Sequence, residues 1–361
     1  MTRSVIDPIT RIEGHLRAEM EVTDGVVTDA WISGGCFRGM ELVVRDRTPE
    51  DAAYIVQRIC GVCPVSHMHS ASIAAEQALG ITIPNNARII RNLIEGAQFL
   101  HSHILWLYNL AGLDYVNPLN ALGADAADAY DLAAELGTPS ADFVGLQDRL
   151  KKFADNGQLS IFSGNWFDTG EYNMTPEDLI LTAHYLEALQ MQSKASEIAA
   201  LLGGKMPHIM TIVPGGTAFV PTAEKLDDLK GLVDEVYQWV ADTMIPDTLA
   251  IAKFYPEATT FGKGIGRYAA WGVFESPFDE GTSYADRMRN RYLPAGVLDE
   301  NFNISDPDES KITEYVGHSW YEGDADLPPF EQDTKPAFTE YDVNDRYTWD
   351  KCPLYDGKSL E

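Results

Sequence analysis

Arg58-Ile59-Cys60-Gly61-Val62-Cys63-Pro64-Val65-Ser66-His67 sets two thiols three positions apart, with a histidine about one helical turn beyond the second. A CxxC pair at a turn of the chain brings two thiolates onto one metal ion. Thiolates select soft or borderline metals such as Zn, Cu(I), Ni or Fe. Arg58 is placed to favour deprotonation of the thiols, and His67 to serve as a further ligand or as a hydrogen-bonding partner of one. Three blander readings stay open on spacing alone: half of a zinc site, a thioredoxin-like redox pair, and two buried core cysteines. A structural zinc site needs four ligands, and only His67 or the distant Cys36 and Cys352 remain to complete one. Pro64, not histidine, follows Cys63, which excludes a c-type haem attachment.

Two more stretches concentrate polar chemistry. Asp7-Pro8-Ile9-Thr10-Arg11-Ile12-Glu13-Gly14-His15 gathers carboxylates, an arginine and a histidine, and by itself also reads as a solvated arm. Cys36-Phe37-Arg38-Gly39-Met40-Glu41 by itself also reads as an ordinary loop and helix start.

The elements that hold these residues follow from pattern. Leu16 to Val22 alternates apolar and polar residues, Asp24-Gly25 marks a turn, and Val26 to Ile32 returns, so a β-hairpin is expected. Thr48-Pro49-Glu50-Asp51 starts a helix running toward Ile59. Gly61 and Pro64 interrupt it, and a second helix runs from near Ser66 to Gly80, so the cysteines sit at a helix break. One long helix is expected from Pro84 to Leu113, with Ile89, Leu93, Leu100, Ile104, Leu107 and Leu110 as its apolar stripe. Further helices are expected from Thr175 to Gly203-Gly204 and from near Thr222 past Trp239 to about Met244. Pro246 should break the latter before a short helix reaches Phe254.

The fold class expected is therefore α+β and predominantly α. A bundle of long helices forms the core, with an N-terminal β-hairpin or small sheet and an irregular C-terminal region rich in Gly, Pro and aromatic residues. Residues 1–47 read as the β-rich segment and 48–255 as the helical bundle carrying the CxxC. Residues 256–361 read as an irregular α/β segment packed on the bundle, all in one cooperative domain.

Composition bounds the function. In 361 residues, 55 Asp and Glu against 27 Lys and Arg leave a net charge of −28. Such a surface repels phosphate backbones and anionic membrane faces, so nucleic-acid binding and unaided membrane docking are not expected. The 45% hydrophobic and 23% charged residues are ordinary for a globular protein. Four cysteines are too few for a disulfide scaffold. The run from Phe99 to Leu113 is interrupted by His101, His103 and Asn109 and is too short to span a bilayer. The opening residues carry no apolar signal-peptide core.

Together the three polar stretches resemble the large, catalytic subunit of [NiFe] hydrogenases. The resemblance extends through Asn86-Ala-Arg-Ile-Ile-Arg-Asn-Leu93, Gly157-Gln-Leu159, Ala183-His-Tyr-Leu186, Gly203-Gly-Lys-Met-Pro-His208 and Pro214-Gly-Gly216. Later come Ile312-Thr-Glu314, His318-Ser-Trp-Tyr321 and Tyr347-Thr-Trp349, so it spans essentially residues 4–361.

It implies reversible oxidation of H2 to protons and electrons at a Ni–Fe centre held by four thiolates, with CO and cyanide on the iron. By that likeness Cys60 is a terminal Ni ligand, Cys63 bridges Ni and Fe, and His67 hydrogen-bonds near the bridging sulfur. Glu13 takes up protons, a role that suits a carboxylate whose pKa is raised by burial. Glu41 is a ligand of a buried Mg²⁺, a hard ion that takes oxygen donors. An iron–sulfur small subunit carries the electrons away. His208 reads as a buried histidine or as one near the face that meets that subunit, and His101, His103, His184 and His318 as structural residues. Such complexes work at the periplasmic side of the membrane through a co-exported small subunit, with a cytoplasmic location as the alternative.

The sequence departs from the family pattern at one point. The family's catalytic-pocket arginine and second CxxC, with the histidine that completes the Mg²⁺ site, have no counterpart here. The expectation is a split large subunit, in which a second polypeptide brings the C-terminal CxxC. The alternatives are a truncated product, a metal-free relative in a redox complex, and a zinc-binding structural protein.

Overall fold

The computed structural model describes residues 2–163, 174–262, 264–323 and 326–360. The chain divides into two compact units, one of Met1–Arg47 with Lys263–Glu361 and one of Thr48–Gly262. In this division the C-terminal residues group with the N-terminal segment.

The first unit begins with three antiparallel strands, β1 (Thr2–Ile6), β2 (Leu16–Thr23) and β3 (Val26–Gly34), in that order across the sheet. The β2–β3 connection is the expected two-residue turn, with Asp24 at φ 53° and Gly25 at φ 80°, a pair of positive φ values that matches strand twist. The alternation marks the strand, yet its burial is polar. Ala18, Glu19 and Ser33 are the buried residues of the hairpin, while Val26, Val27 and Ile32 are exposed. Glu19 is satisfied there by Arg17 Nη2 (2.8 Å), the Tyr341 hydroxyl (2.7 Å) and Arg3. A short helix, α1 (Met40–Val43), follows Gly39, whose φ of 63° makes the entry turn.

The second unit is helical. Thr48 caps α2 (Pro49–Val56) by accepting from Asp51 N at 3.2 Å, and a 3-10 turn, Gln57–Ile59, carries the chain to Cys60. α3 (Pro64–Leu79) starts on a proline, which suits the first helical position, and closes on left-handed Gly80. α4 (Asn85–Leu105) is shorter than expected. It passes at Trp106 into a π turn to Leu110 and then a 3-10 turn, Ala111–Asp114. The expected stripe also needs correction. Ile89 and Leu93 are exposed, and the buried face carries Arg88, Arg91, Glu95 and Gln98 beside Ile94, Ala97 and Ile104.

Then come α5 (Ala126–Leu136) and α6 (Phe143–Asp155), capped by Asp125 and Asp142, and α7 (Glu177–Gly203). Gly204 turns left-handed, and a Cβ on Gly203 would fall 2.5 Å from Ile209 Cγ2, so the Gly-Gly pair lets the chain fold back on the helix end. The hairpin β4 (Ile212–Val213) and β5 (Gly216–Thr217) follows. α8 (Ala223–Trp239), capped by Thr222, leads into a second π turn, Val240–Met244, and directly into α9 (Ile245–Phe254). Pro246 does not interrupt the path, because it falls in the first turn of α9, where its missing N–H costs no bond.

One core joins Val65 and Met68 of α3 and Ile94 and Ile104 of α4 to Ile198 and Leu202 of α7 and Val236 of α8. A second joins α5, α6 and the start of α7 around Phe143, Leu146 and Leu179. The lining of an apolar cavity of about 150 Å³ includes Tyr108, Leu113, Leu150, Phe153 and Tyr185. No helix among the described residues is long and apolar enough to cross a membrane.

The remainder of the first unit is built from short pieces. β6 (Tyr268–Ala270), β9 (Gly296–Leu298) and β10 (Ile304–Ser305) form one sheet in the order β10-β9-β6. β7 (Val273–Glu275) and β8 (Arg291–Leu293) pair separately, with α10 (Tyr284–Arg289) between them in the chain. β11 (Ile312–Tyr315), β12 (Asp326–Leu327), β13 (Cys352–Tyr355) and β14 (Lys358–Ser359) make a sheet in the order β12-β11-β13-β14. The segment before β13 docks on the end of β3. Trp349 N donates to Gly34 O at 3.0 Å, and Gly34 N donates to Thr348 Oγ1 at 3.0 Å.

Candidate metal centre

Cys60 and Cys63 lie where the 3-10 turn ends and α3 begins. Cys60 is extended (φ −138°, ψ 137°) and Cys63 is the N-cap of α3. Both thiols are unoxidised and half-buried, and the Cys63 N–H donates to Cys60 Sγ at 3.1 Å. That bond directs a backbone dipole at sulfur, and the helix dipole at the start of α3 favours negative charge there. The pair is chemically suited to a soft metal and supplies two donors toward it. Among the described residues no group of three or more His, Cys, Asp and Glu stands close enough to hold a metal ion.

His67 lies one turn into α3, and burial holds its imidazole below its ordinary pKa. Arg58 sits over the Tyr54 ring, its Cζ 4.6 Å from the centroid, and donates to Tyr54 O at 2.8 Å. The turn is braced from below by Gln57, fully buried, whose amide donates to Ile209 O at 3.1 Å. His208, half-buried at φ 66°, belongs to this brace. Burial and then the charges of Arg58 and Lys205 lower its pKa, against a hydrogen bond with the Gln57 backbone.

The first turn of α3 is tied to α4 by side chains that motif reading did not single out. Val65 N donates to Gln98 Oε1 (2.8 Å), Gln98 Nε2 to Ser66 Oγ (2.6 Å), and Ser66 Oγ to Glu95 Oε1 (2.6 Å). His69 Nδ1 stands 3.4 Å from Glu95 Oε2. Polar residues three positions apart, Glu95 and Gln98, on a helix otherwise read as apolar were the available signal.

In the first unit, Asp7 binds His15 Nε2 (2.5 Å) and Arg17 Nη1 (3.0 Å), which hold its carboxyl below the usual range and tether both ends of the loop that carries Glu13. Glu13 itself is exposed, so these residues do not provide the burial expected of it. Glu41 is likewise exposed, on α1. Burial, then the charges of Glu41, Asp350 and Glu314, push the Tyr321 hydroxyl up to about 12. Phe37 stacks on Trp349 at 4.4 Å, with Tyr321 edge-on at 6.0 Å. Three stretches far apart in sequence thus meet at one aromatic cluster.

Two other polar sites are structural. His184 is fully buried, with Nδ1 2.9 Å from both Asp247 oxygens and Nε2 3.3 Å from Pro139 O. Burial alone would lower its pKa, but the Asp247 bond and charge raise it above the ordinary value. Tyr108, in the π turn, donates to Asp247 Oδ2 at 2.5 Å. His318 stacks on Tyr347 and its Nδ1 lies 2.8 Å from Asp345 O.

The chain belongs to the nickel-dependent hydrogenase family, whose sequence model matches residues 38–361. It is similar to the hydrogenase-2 large chain of Escherichia coli K12, 38% identical over 99% of this chain and 66% of that one. It is also similar to the uptake hydrogenase large subunit of Rhodobacter capsulatus, 34% identical with the same coverage. Among solved structures, the reduced Ni-Fe-Se hydrogenase of Desulfovibrio vulgaris Hildenborough superposes with a TM-score of 0.79 at 33% identity, over 100% of this chain and 65% of that one. The reduced, active Ni-Fe-Se hydrogenase of Desulfomicrobium baculatum gives 0.75 at 32%, over 100% and 66%. The fold is that of these large chains, and the chain spans just under two thirds of each relative's length.

Proposed function

We propose that this chain is the thiolate-bearing N-terminal portion of a hydrogenase catalytic subunit, working in reversible oxidation of H2 to protons and electrons. The observation that carries the reading is the pair of unoxidised, half-buried thiols at the start of α3, with a backbone N–H directed at Cys60 Sγ, in a chain of the nickel-dependent hydrogenase family. The Ni–Fe centre, with CO and cyanide on iron, supplies the H–H bond cleavage. Cys60 and Cys63 would hold that centre, and His67 would hydrogen-bond near the Cys63 sulfur. Two further thiolates have to come from a second CxxC outside residues 1–361, and a denaturing gel of the assembled complex separates a continuous chain from a second polypeptide. Glu41 is assigned to Mg²⁺, and an iron–sulfur small subunit to electron transfer.

The test is an infrared spectrum and metal analysis of the complex purified from its own host. CO and cyanide stretches with Ni and Fe are expected. Zinc alone, or no metal and no bands, would replace the reading with a zinc-binding or metal-free relative.

Glu13 is assigned to proton uptake, which requires a covering surface over its exposed loop in the complex. Glu13→Gln removes the titrating group and keeps its shape. Metal content and infrared bands should be unchanged while H2 uptake falls by about 10² or more, the range of a lost acid–base group. Unchanged turnover would remove Glu13 from the proton route.

A further inference from the structure

α3 starts without a cap of its own. Cys63, in the N-cap position, makes no side-chain capping hydrogen bond, and Pro64 has no N–H. The first free N–H of the helix is that of Val65, two residues past Cys63, and Gln98 of α4 accepts it at 2.8 Å. Gln98 is 3% exposed and cannot take either orientation. Its oxygen faces Val65, and its nitrogen must donate to Ser66 Oγ at 2.6 Å. Ser66 then spends its own hydrogen on Glu95, also 3% exposed, at 2.6 Å. Val65 N needs an oxygen and Ser66 passes its hydrogen to Glu95, so the chain of bonds runs in a single direction from the backbone of α3 to a carboxylate fixed on α4. Buried networks in which every member is satisfied are rigid, and those with one member missing are not.

We propose that Gln98, Ser66 and Glu95 are positioning residues for the Cys63 thiolate. They cap α3 from a neighbouring helix and so fix the direction in which the CxxC turn enters the metal centre. This rests on Cys63 being a metal ligand, as assigned above. The bracket acts on sulfur only through the backbone of residues 63–66, so its loss should alter the electron donation that the iron-bound CO reports, and not merely the stability of the unit.

The test uses three substitutions in the complete complex, with infrared spectra, and in the full chain prepared without metal, with amide hydrogen exchange at Val65. Gln98→Leu removes the acceptor. Val65 should exchange about tenfold faster, the effect of one hydrogen bond, and the CO stretch should move. Ser66→Ala removes the acceptor of one Gln98 amide hydrogen and should move the CO stretch less. Glu95→Gln keeps an oxygen for the Ser66 hydroxyl and should leave the band in place. Wild-type CO position and Val65 exchange in Gln98→Leu would overturn the proposal. If Gln98→Leu does not accumulate, Ser66→Ala decides alone, and a wild-type band there overturns it. If the wild-type complex itself shows no CO or cyanide bands, the Ni–Fe reading fails, while Val65 exchange still decides whether the cap exists.

Discussion

Replacing Cys63 with serine should yield a folded protein that carries no nickel above background and reduces no dye with H2. The change removes one atom type and almost no volume. Pro64 still opens α3, and Gln98 still accepts from Val65 N at the same helix start. What is lost is a thiolate, the ligand that selects soft and borderline metals. A serine hydroxyl stays protonated at neutral pH and prefers hard ions. The Cys63 N–H that donates to Cys60 Sγ at 3.1 Å remains, so Cys60 keeps its dipole and loses its companion. With one donor left on this chain, the loss should exceed the 10- to 100-fold that removing a partner behind a ligand roughly costs. Metal analysis after purification decides it: nickel at the wild-type level in Cys63→Ser would mean that Cys63 is not a ligand. Cys60→Ser should give the same result for the same reason.

The CxxC turn was legible because its signals are local. CxxC, the prolines and glycines around it, and His67 lie within one short stretch, and the helix break they imply is the one found at Cys60–Cys63. The β2–β3 hairpin was legible through Asp24-Gly25, since few other pairs accept positive φ at both positions. β1 was not, because five residues pairing with β2 across a polar loop leave no periodic signal.

The face of α4 was misread for a physical reason. Counting apolar residues selects Ile89 and Leu93, yet the helix buries Arg88, Arg91, Glu95 and Gln98. Their burial is tolerable only because each meets a partner, and most of those partners lie far along the chain. Ser66 is 29 residues from Glu95, and Gly216 is 125 from Arg91. No single-window pattern contains both members of such a pair. The same holds for Phe37 against Tyr321 and Trp349. The exposure of Glu13 and Glu41 was not readable at all, since it depends on what covers those loops.

The largest expected loss of stability lies at Arg91. Its side chain is 1% exposed. It makes a paired contact with Glu76 on α3 (Nη1–Oε2 3.1 Å, Nη2–Oε1 2.5 Å) and also donates from Nε to Gly216 O (3.0 Å) and from Nη2 to Val213 O (2.7 Å). Gly215 N closes the ring onto Glu76 Oε1 at 2.8 Å. One guanidinium therefore ties α3 and α4 to the β4–β5 hairpin. Arg91→Met keeps the length of the stem and strands a buried carboxylate with two backbone carbonyls. Breaking a buried pair on one side costs about 3–5 kcal/mol, which for a unit of this size lowers the melting temperature by roughly 10 °C. Removing both charges, as in Glu76→Leu with Arg91→Met, should restore only part of that. The carboxylate no longer needs a partner, but Gly216 O and Val213 O still lack their donor and Gly215 N now loses its acceptor, at about 1–3 kcal/mol for such a group where it is buried. Thermal unfolding of the wild type, the single variant and the double variant separates the two contributions. A double variant as stable as the wild type would show that the hairpin carbonyls find other donors and that the ion pair, not the backbone clamp, is what Arg91 contributes. A single variant within about 2 °C of the wild type would show that neither matters to folding.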